Sequence, residues 1–356
     1  MPHQVFTQSD QQATSQGHAS AGDPSIHLSS SPFQVNRPTS ILQLADNPCI
    51  LSALTTMATQ GAELVTSYRN VIEKGGKFEP EAGRYHLYVS YACPWAGRTL
   101  ITRKLKGLED VISLTIVSPR MGEKGWPFAS VDSYPSAEED PLYGSQYIRD
   151  LYLRADPGYA GRFSVPVLWD KKLHTVVNNE SAEIVRIFNT AFNSLLPEDK
   201  AKIDLYPPEL RAEIDETNDW VLKYINSGVY KTGLAATQEE YQDAVTKVFN
   251  ALDRTEEILE KNEYLVGNRL TEADVRLFVT LIRFDPVYVG HFKCNIRTIR
   301  DGYPAINKWM QKLYWTNDAF KSSTKFDHIK LHYYHEKHLN PTQIVPVGPV
   351  PDILPL

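Results

Sequence analysis

The chain has 356 residues, of which 42% are hydrophobic and 22% charged, with a formal net charge of −6. That length exceeds one typical compact core, so two domains plus some irregular sequence are expected of a soluble globular protein. The acidic balance gives no basic footprint, which argues against nucleic acid or an anionic membrane as partner and leaves small molecules as the expected ligands.

Residues 1–64 read as an N-terminal extension, partly disordered. Its first forty residues hold Asp10 and Asp23, no lysine, and no arginine before Arg37, so it has the character of neither a secretory signal nor a transit peptide. Nothing later approaches the roughly 18 apolar residues of a spanning helix, and a cytoplasmic protein is expected. Residues 41–62 could form a short helix, which Pro48 interrupts.

Firm pattern starts near Gly83. Residues 85–90 alternate as a strand, residues 95–106 place Ala96, Leu100, Ile101 and Leu105 on one side of a helix, and residues 111–117 form a second strand. After a long insertion, strands at 165–169 and 173–177 flank the hairpin signal "DKK", and "NNESAEIVRIFN" opens another helix. A βαβ half followed by a ββα half is the order of a thioredoxin-like domain. From Pro207 the pattern turns helical, with Thr271 and Asp274 in capping-box spacing. The expected organisation is a thioredoxin-like α/β domain over 65–195, an all-helical domain over 196–336 and a tail over 337–356.

The chemistry-bearing residue is Cys93, which stands before Pro94 at the expected helix start. A thiol there meets unpaired backbone N–H groups and the positive end of the helix dipole, and Pro94 suits the first helical position. Arg98 and Arg103 add positive charge nearby. The thiol is therefore expected to titrate below the ordinary cysteine value of about 8.5. Cys49 and Cys294, in contrast, read as buried packing residues. Three cysteines form neither a disulfide framework nor a zinc cluster, so a reducing compartment is expected. Ala96 occupies the place of the second cysteine of a C-x-x-C pair. An external thiol must then regenerate Cys93 after it forms a disulfide, and glutathione is the abundant candidate.

With C-P-W-A, a V-P before the third strand and E-S at the next helix, the chain resembles a cysteine-dependent glutathione transferase. More narrowly, "GRYHLYVSYACPWAGRTLI", "GWPF", "YAGRFSVPVLWDKK", "VNNESAEI", "GVYKTGLA", "RFDPVYVGHFKCN" and "HIKLHYY" resemble the glutathionyl-hydroquinone reductases, or Xi-class glutathione transferases, over residues 65–350. The resemblance implies a glutathione transferase fold and Cys93 as nucleophile. Glu180 and Ser181 would hold the γ-glutamyl end of glutathione, and Val165, followed by a cis Pro166, its cysteinyl backbone. Trp126 and Arg149 would hold the remainder, with Arg154 or Arg162 as alternatives to Arg149. Tyr230, Tyr288 and the Tyr333–Tyr334 pair would form the aromatic pocket for the hydroquinone. One departure is Gly97, where family members usually carry histidine, removing a side chain near the thiol.

The implied activity is glutathione-dependent reduction of glutathionyl-hydroquinones through a Cys93–glutathione mixed disulfide, by a homodimer with glutathione as co-substrate. The alternatives are an Omega-like thioltransferase or dehydroascorbate reductase, and a non-catalytic interaction module of the same fold. His332, His335 and His338 fall short of H-E-x-x-H spacing and read as a surface histidine stretch, so no metal site is expected. No phosphate loop, dinucleotide fingerprint or serine elbow is present.

Overall fold

Every residue of Tyr85–Val89 (β1) is buried, as befits a central strand covered on both faces. In the computed structural model, which describes residues 68–356, β1 pairs in parallel with Ile112–Ile116 (β2) and antiparallel with Val167–Asp170 (β3). Thr175–Asn178 (β4) closes the sheet against β3, giving the order β2-β1-β3-β4. Helix α1 (Pro94–Leu105) connects β1 to β2, and Ser181–Thr190 (to be called α3) follows β4. This is the thioredoxin-like order expected from the sequence.

The stretch read as a plain insertion contains a further helix, α2 (Ile148–Ala155). Its N-cap is Tyr147, a residue type with no capping preference, so the usual start signal is missing. Asp150 supplies the cap instead, its Oδ2 accepting the N–H groups of Gln146 and Tyr147 at 3.0 and 2.9 Å. The short helix of residues 41–62 and Cys49 lie outside the described residues.

The remaining elements are helical, with shorter turns between them: α4 (Arg211–Val221), α5 (Gly228–Gly233), α6 (Gln238–Leu259), α7 (Glu272–Leu281), α8 (Pro304–Thr316) and α9 (Phe326–Tyr334). π-helical turns follow α4 at Leu222–Asn226 and α7 at Phe284–Tyr288. The expected capping box starts α7: Asp274 Oδ2 accepts from the N–H and Oγ1 of Thr271 at 2.9 and 3.1 Å. The tail lies along α8, where Trp315 Nε1 donates to Leu354 O at 2.8 Å. Among the described residues no helix is long and apolar enough to cross a membrane.

Two apolar cores result, one around the sheet and one among the helices, and α1 contributes to both. Ala96 and Leu100 belong to the first, Ile101 and Leu105 to the second. A one-sided apolar face is thus too modest a description, because α1 is buried on nearly all sides.

At Gly97 the approach of α7 is close. A Cβ there would stand 3.2 Å from Val279 Cγ1 and 3.9 Å from Arg283 Nη2. The side chain absent at this position would therefore meet the helical half. Gly97→Ala is expected to lower stability, since overpacking a stiff β-branched neighbour costs about 1–3 kcal/mol against about 1 kcal/mol gained in helix propensity. In a Val279→Ala background the same substitution should stabilise. Denaturant unfolding of the four proteins in the cycle checks this, and equal effects in both backgrounds would refute the contact.

Candidate active site

Cys93 is the N-cap of α1, with extended backbone (φ −75°, ψ 119°) and Pro94 behind it. It is 8% exposed, and its thiol donates to Val165 O at 3.6 Å. Burial pushes the Cys93 thiol up, while the N–H of Ala96, the charge of Arg283, the N–H of Trp95 and the charge of Arg98 pull it down. Burial prevails, which corrects the expectation of a thiol below the ordinary value. The helix terminus acts as predicted, but it opposes the removal of the sulfur from water. Cys294, buried in the helical half, is raised to about 12 by desolvation.

The Val165–Pro166 bond is cis, as the resemblance implies. Tyr152 supports the segment from behind, its hydroxyl donating to Ser164 O at 3.0 Å. Glu180 is the N-cap of α3, and its Oε1 accepts the N–H of Ala182 at 3.1 Å and the hydroxyl of Ser181 at 3.4 Å. A helix N-terminus with a hydroxyl beside it is suited to a carboxylate, and the Glu180 carboxylate to an ammonium. Arg98 ties this terminus to the cysteine helix. Its guanidinium lies 4.4 Å from the Trp95 ring, and it donates to Ser181 Oγ at 3.4 Å and Asn226 Oδ1 at 2.9 Å. Arg103 turns away, donating to Ile112 O and Glu109 O at 2.8 and 3.1 Å.

Trp126 is buried and stacks on His332, with ring centroids 4.8 Å apart at 23°. His332 is therefore not part of a surface stretch. Its Nδ1 donates to Pro119 O at 3.0 Å, because a carbonyl can only accept, and burial lowers it to about 4, leaving a neutral ring. His335 packs near Gln343, whereas His338 is exposed. No group of metal-ligating side chains exists among the described residues. Arg149 lies on α2, 5.3 Å from the Phe163 ring, and lines an open cavity of about 340 Å³ with Lys124, Gln146 and Asp150. Arg154, one of its alternatives, packs over Tyr143 at 4.3 Å.

The tyrosines converge. Tyr230 on α5, Tyr288 at the end of the second π-helical turn and Tyr333 on α9 meet through their hydroxyls, at 2.6 Å for Tyr230–Tyr333 and 3.0 Å for Tyr288–Tyr333. Burial raises all three well above the ordinary phenol, and Tyr230 also feels Cys93. Tyr334 is not with them; its ring packs on His291, and its hydroxyl points toward Pro286 O at 3.5 Å.

Two residues escape the sequence reading. Asn226, in the first π-helical turn, receives Arg98 and donates to Thr280 Oγ1 at 2.7 Å. Arg283 donates to Tyr91 O and Ala92 O, immediately before Cys93, at 2.8 and 3.2 Å. The available signal was a charge inside the apolar run "FVTLIRF", since a buried arginine needs partners.

The sheet-plus-helix architecture with one N-capping cysteine defines a glutathione transferase. Residues 92–191 match the glutathione S-transferase N-terminal domain family, and residues 238–312 match the C-terminal domain family. The omega-like glutathione S-transferase 2 of Schizosaccharomyces pombe is 55% identical over 294 residues, covering 81% of this chain and 93% of that protein. The Escherichia coli glutathionyl-hydroquinone reductase YqjG is 53% identical over 280 residues, 78% of this chain and 83% of its own, and has been solved with glutathione bound. The crystal structure of the Xi glutathione S-transferase of Phanerochaete chrysosporium superposes with a TM-score of 0.81 at 64% identity, covering 83% of this chain and 94% of that one. The chain belongs to the glutathione transferase family, in its Xi class of glutathionyl-hydroquinone reductases.

In the protein without added glutathione, alkylation of Cys93 by iodoacetamide should show a midpoint above the ordinary cysteine value of about 8.5, with Cys294 unmodified under native conditions. Rates from pH 6 to 10, with the modified cysteine identified by mass spectrometry, check this. A midpoint below the ordinary value would mean that the helix terminus and cations outweigh burial.

Proposed function

We propose that the chain reduces glutathionyl-hydroquinones to hydroquinones with glutathione as co-substrate, Cys93 being the nucleophile. The observation that carries this reading is a single sulfur at a helix N-terminus, with Ala96 where a resolving cysteine would stand and buried tyrosyl hydroxyls on the helical side. Cys93 thiolate attacks the glutathione sulfur of the conjugate, the bond from sulfur to aryl carbon breaks, and that carbon takes the electron pair and a proton. A Cys93–glutathione disulfide and the hydroquinone result. A second glutathione then loses its thiol proton and attacks the glutathionyl sulfur, so oxidised glutathione leaves and Cys93 recovers its electron pair. The proton given to carbon is balanced by the one released from glutathione.

In this reading Glu180 takes the γ-glutamyl ammonium, and Ser181 with the start of α3 takes the carboxylate. Val165 pairs with the cysteinyl backbone, Pro166 holds Val165 in place, and Trp126 and Arg149 contact the rest of the tripeptide. Tyr230, Tyr288 and Tyr333 face the aromatic diol and supply the proton. The working form is a homodimer in the cytoplasm, in keeping with the sparse use of cysteine; a solution mass of two chains tests the assembly.

The deciding experiment is turnover of a glutathionyl-benzohydroquinone with glutathione, following free hydroquinone and oxidised glutathione together. Cys93→Ser should abolish both products while glutathione still binds, and one turnover without free glutathione should leave one glutathione adduct, on Cys93. Glu180→Ala should raise the glutathione KM about 10-fold or more with kcat largely kept, the mark of lost uniform binding. Turnover of glutathione mixed disulfides alone would overturn the reading in favour of a thioltransferase.

A further inference from the structure

Arg283 is 2% exposed. Its Nη1 donates to Val279 O at 2.5 Å, its Nη2 to Tyr91 O at 2.8 Å and its Nε to Ala92 O at 3.2 Å. Among the described residues, all its hydrogen-bond partners are carbonyls, and it has no ion pair with a carboxylate. Other guanidinium groups have carboxylate partners, buried Arg84 with Asp170, buried Arg276 with Glu272 and half-buried Arg300 with Asp285, whereas buried Arg98 bonds to Ser181 Oγ and Asn226 Oδ1. Arg103 also bonds to carbonyls, but it feels Glu109 and Asp110.

Carbonyls solvate a buried cation without cancelling its charge, and an uncompensated charge in the interior is costly. The arrangement becomes economical when an anion forms nearby. Tyr91 and Ala92 lead directly into Cys93. We infer that Arg283 is the counter-charge of the Cys93 thiolate, a positioning residue that holds the Tyr91–Ala92 carbonyls and offsets the negative charge that returns to the sulfur when its disulfide is broken.

This rests on Cys93 being the sulfur that forms the mixed disulfide. In the second half of the reaction the bond from Cys93 to the glutathionyl sulfur breaks, and the electron pair goes to Cys93. A better stabilised thiolate leaves faster. The other groups acting on the sulfur are the N–H groups of Trp95 and Ala96 and the charge of Arg98 on α1, Val165 O before β3, and Tyr230 on α5. Tyr288, Tyr333 and His332 also feel Arg283, all three neutral. Of the two cations, Arg98 lies in the fields of Arg276, Glu180 and Glu272, while Arg283 is bonded to the Tyr91–Ala92 carbonyls and acts more strongly on the sulfur.

The test compares Arg283→Met, Arg283→Gln and Arg283→Lys in the full chain. The readouts are iodoacetamide alkylation of Cys93 against pH and the rate at which glutathione releases a preformed Cys93–glutathione disulfide. Removing an opposite charge should raise the alkylation midpoint by about one unit, about tenfold less thiolate at a given pH, and slow release several-fold. Lys, which keeps the charge and loses the fork, should stay within about threefold of wild type in thiolate fraction. If Met does not fold by circular dichroism, Gln, which keeps donors without charge, takes its place. A folded Met or Gln variant with the wild-type midpoint overturns the inference, as does an equal shift in Lys. Failure of wild-type Cys93 to form a glutathione adduct would instead overturn the functional reading, and the alkylation series would still decide the role of Arg283.

Discussion

Helix α1 belongs to two hydrophobic cores at once, and the candidate active site follows from that constraint. A helix buried on nearly every side must satisfy its polar groups internally, because each unpaired one costs about 1–3 kcal/mol. Thr99 and Thr102 bond back to Ala96 O and Arg98 O at 2.8 and 2.9 Å. Lys106, at the far end, is fully buried and donates to Ile203 O and Ala201 O. Arg98 reaches across to Asn226, and Gly97 lets α7 approach. With every flank occupied, Cys93 presents its sulfur at a fixed place where the two cores meet.

The same burial sets the electrostatics. Glu272 at the start of α7 is fully buried and accepts from Arg186, Arg276 and Asn218, each at 2.9 Å. Arg186 lies on α3, the helix that Glu180 and Ser181 begin, so this network joins the γ-glutamyl end of the proposed site to the helical half. A buried ionic network is weak evidence for stability, but breaking one member leaves uncompensated charge. It makes the relative placement of α3 and α7 expensive to change. Around the sulfur the design differs, with cations and N–H groups outnumbering anions.

The fold is legible in the sequence where local signals suffice. β1 shows in its alternation, α1 in Pro94 and its apolar spacing, α7 in Thr271 and Asp274. Cys93, Glu180 and Ser181 are legible because they sit at helix starts, which short patterns mark. What the sequence hides depends on which way a side chain points. Tyr147 conceals the start of α2, and His332 looks like part of a polar stretch until α9 packs it on Trp126. Asn226 and Tyr288 sit in π-helical turns, which alter helical phase and have no reliable sequence signature. The thiol misleads for a related reason, since the helix terminus is a local property and the loss of water is not.

The three tyrosyl hydroxyls carry a further consequence. Tyr230, Tyr333 and Tyr288 form a row with Tyr333 in the middle, and each oxygen owns one proton. The two short hydrogen bonds use two of the three protons, and the third can be aimed at the remaining tyrosine or at another acceptor. Rotating the hydroxyls reverses the direction of the hydrogen bonds, so the free donor shifts from one end of the row to the other while each proton stays on its own oxygen. The row therefore has no fixed polarity. It can present a donor at either terminus, to whichever group stands there.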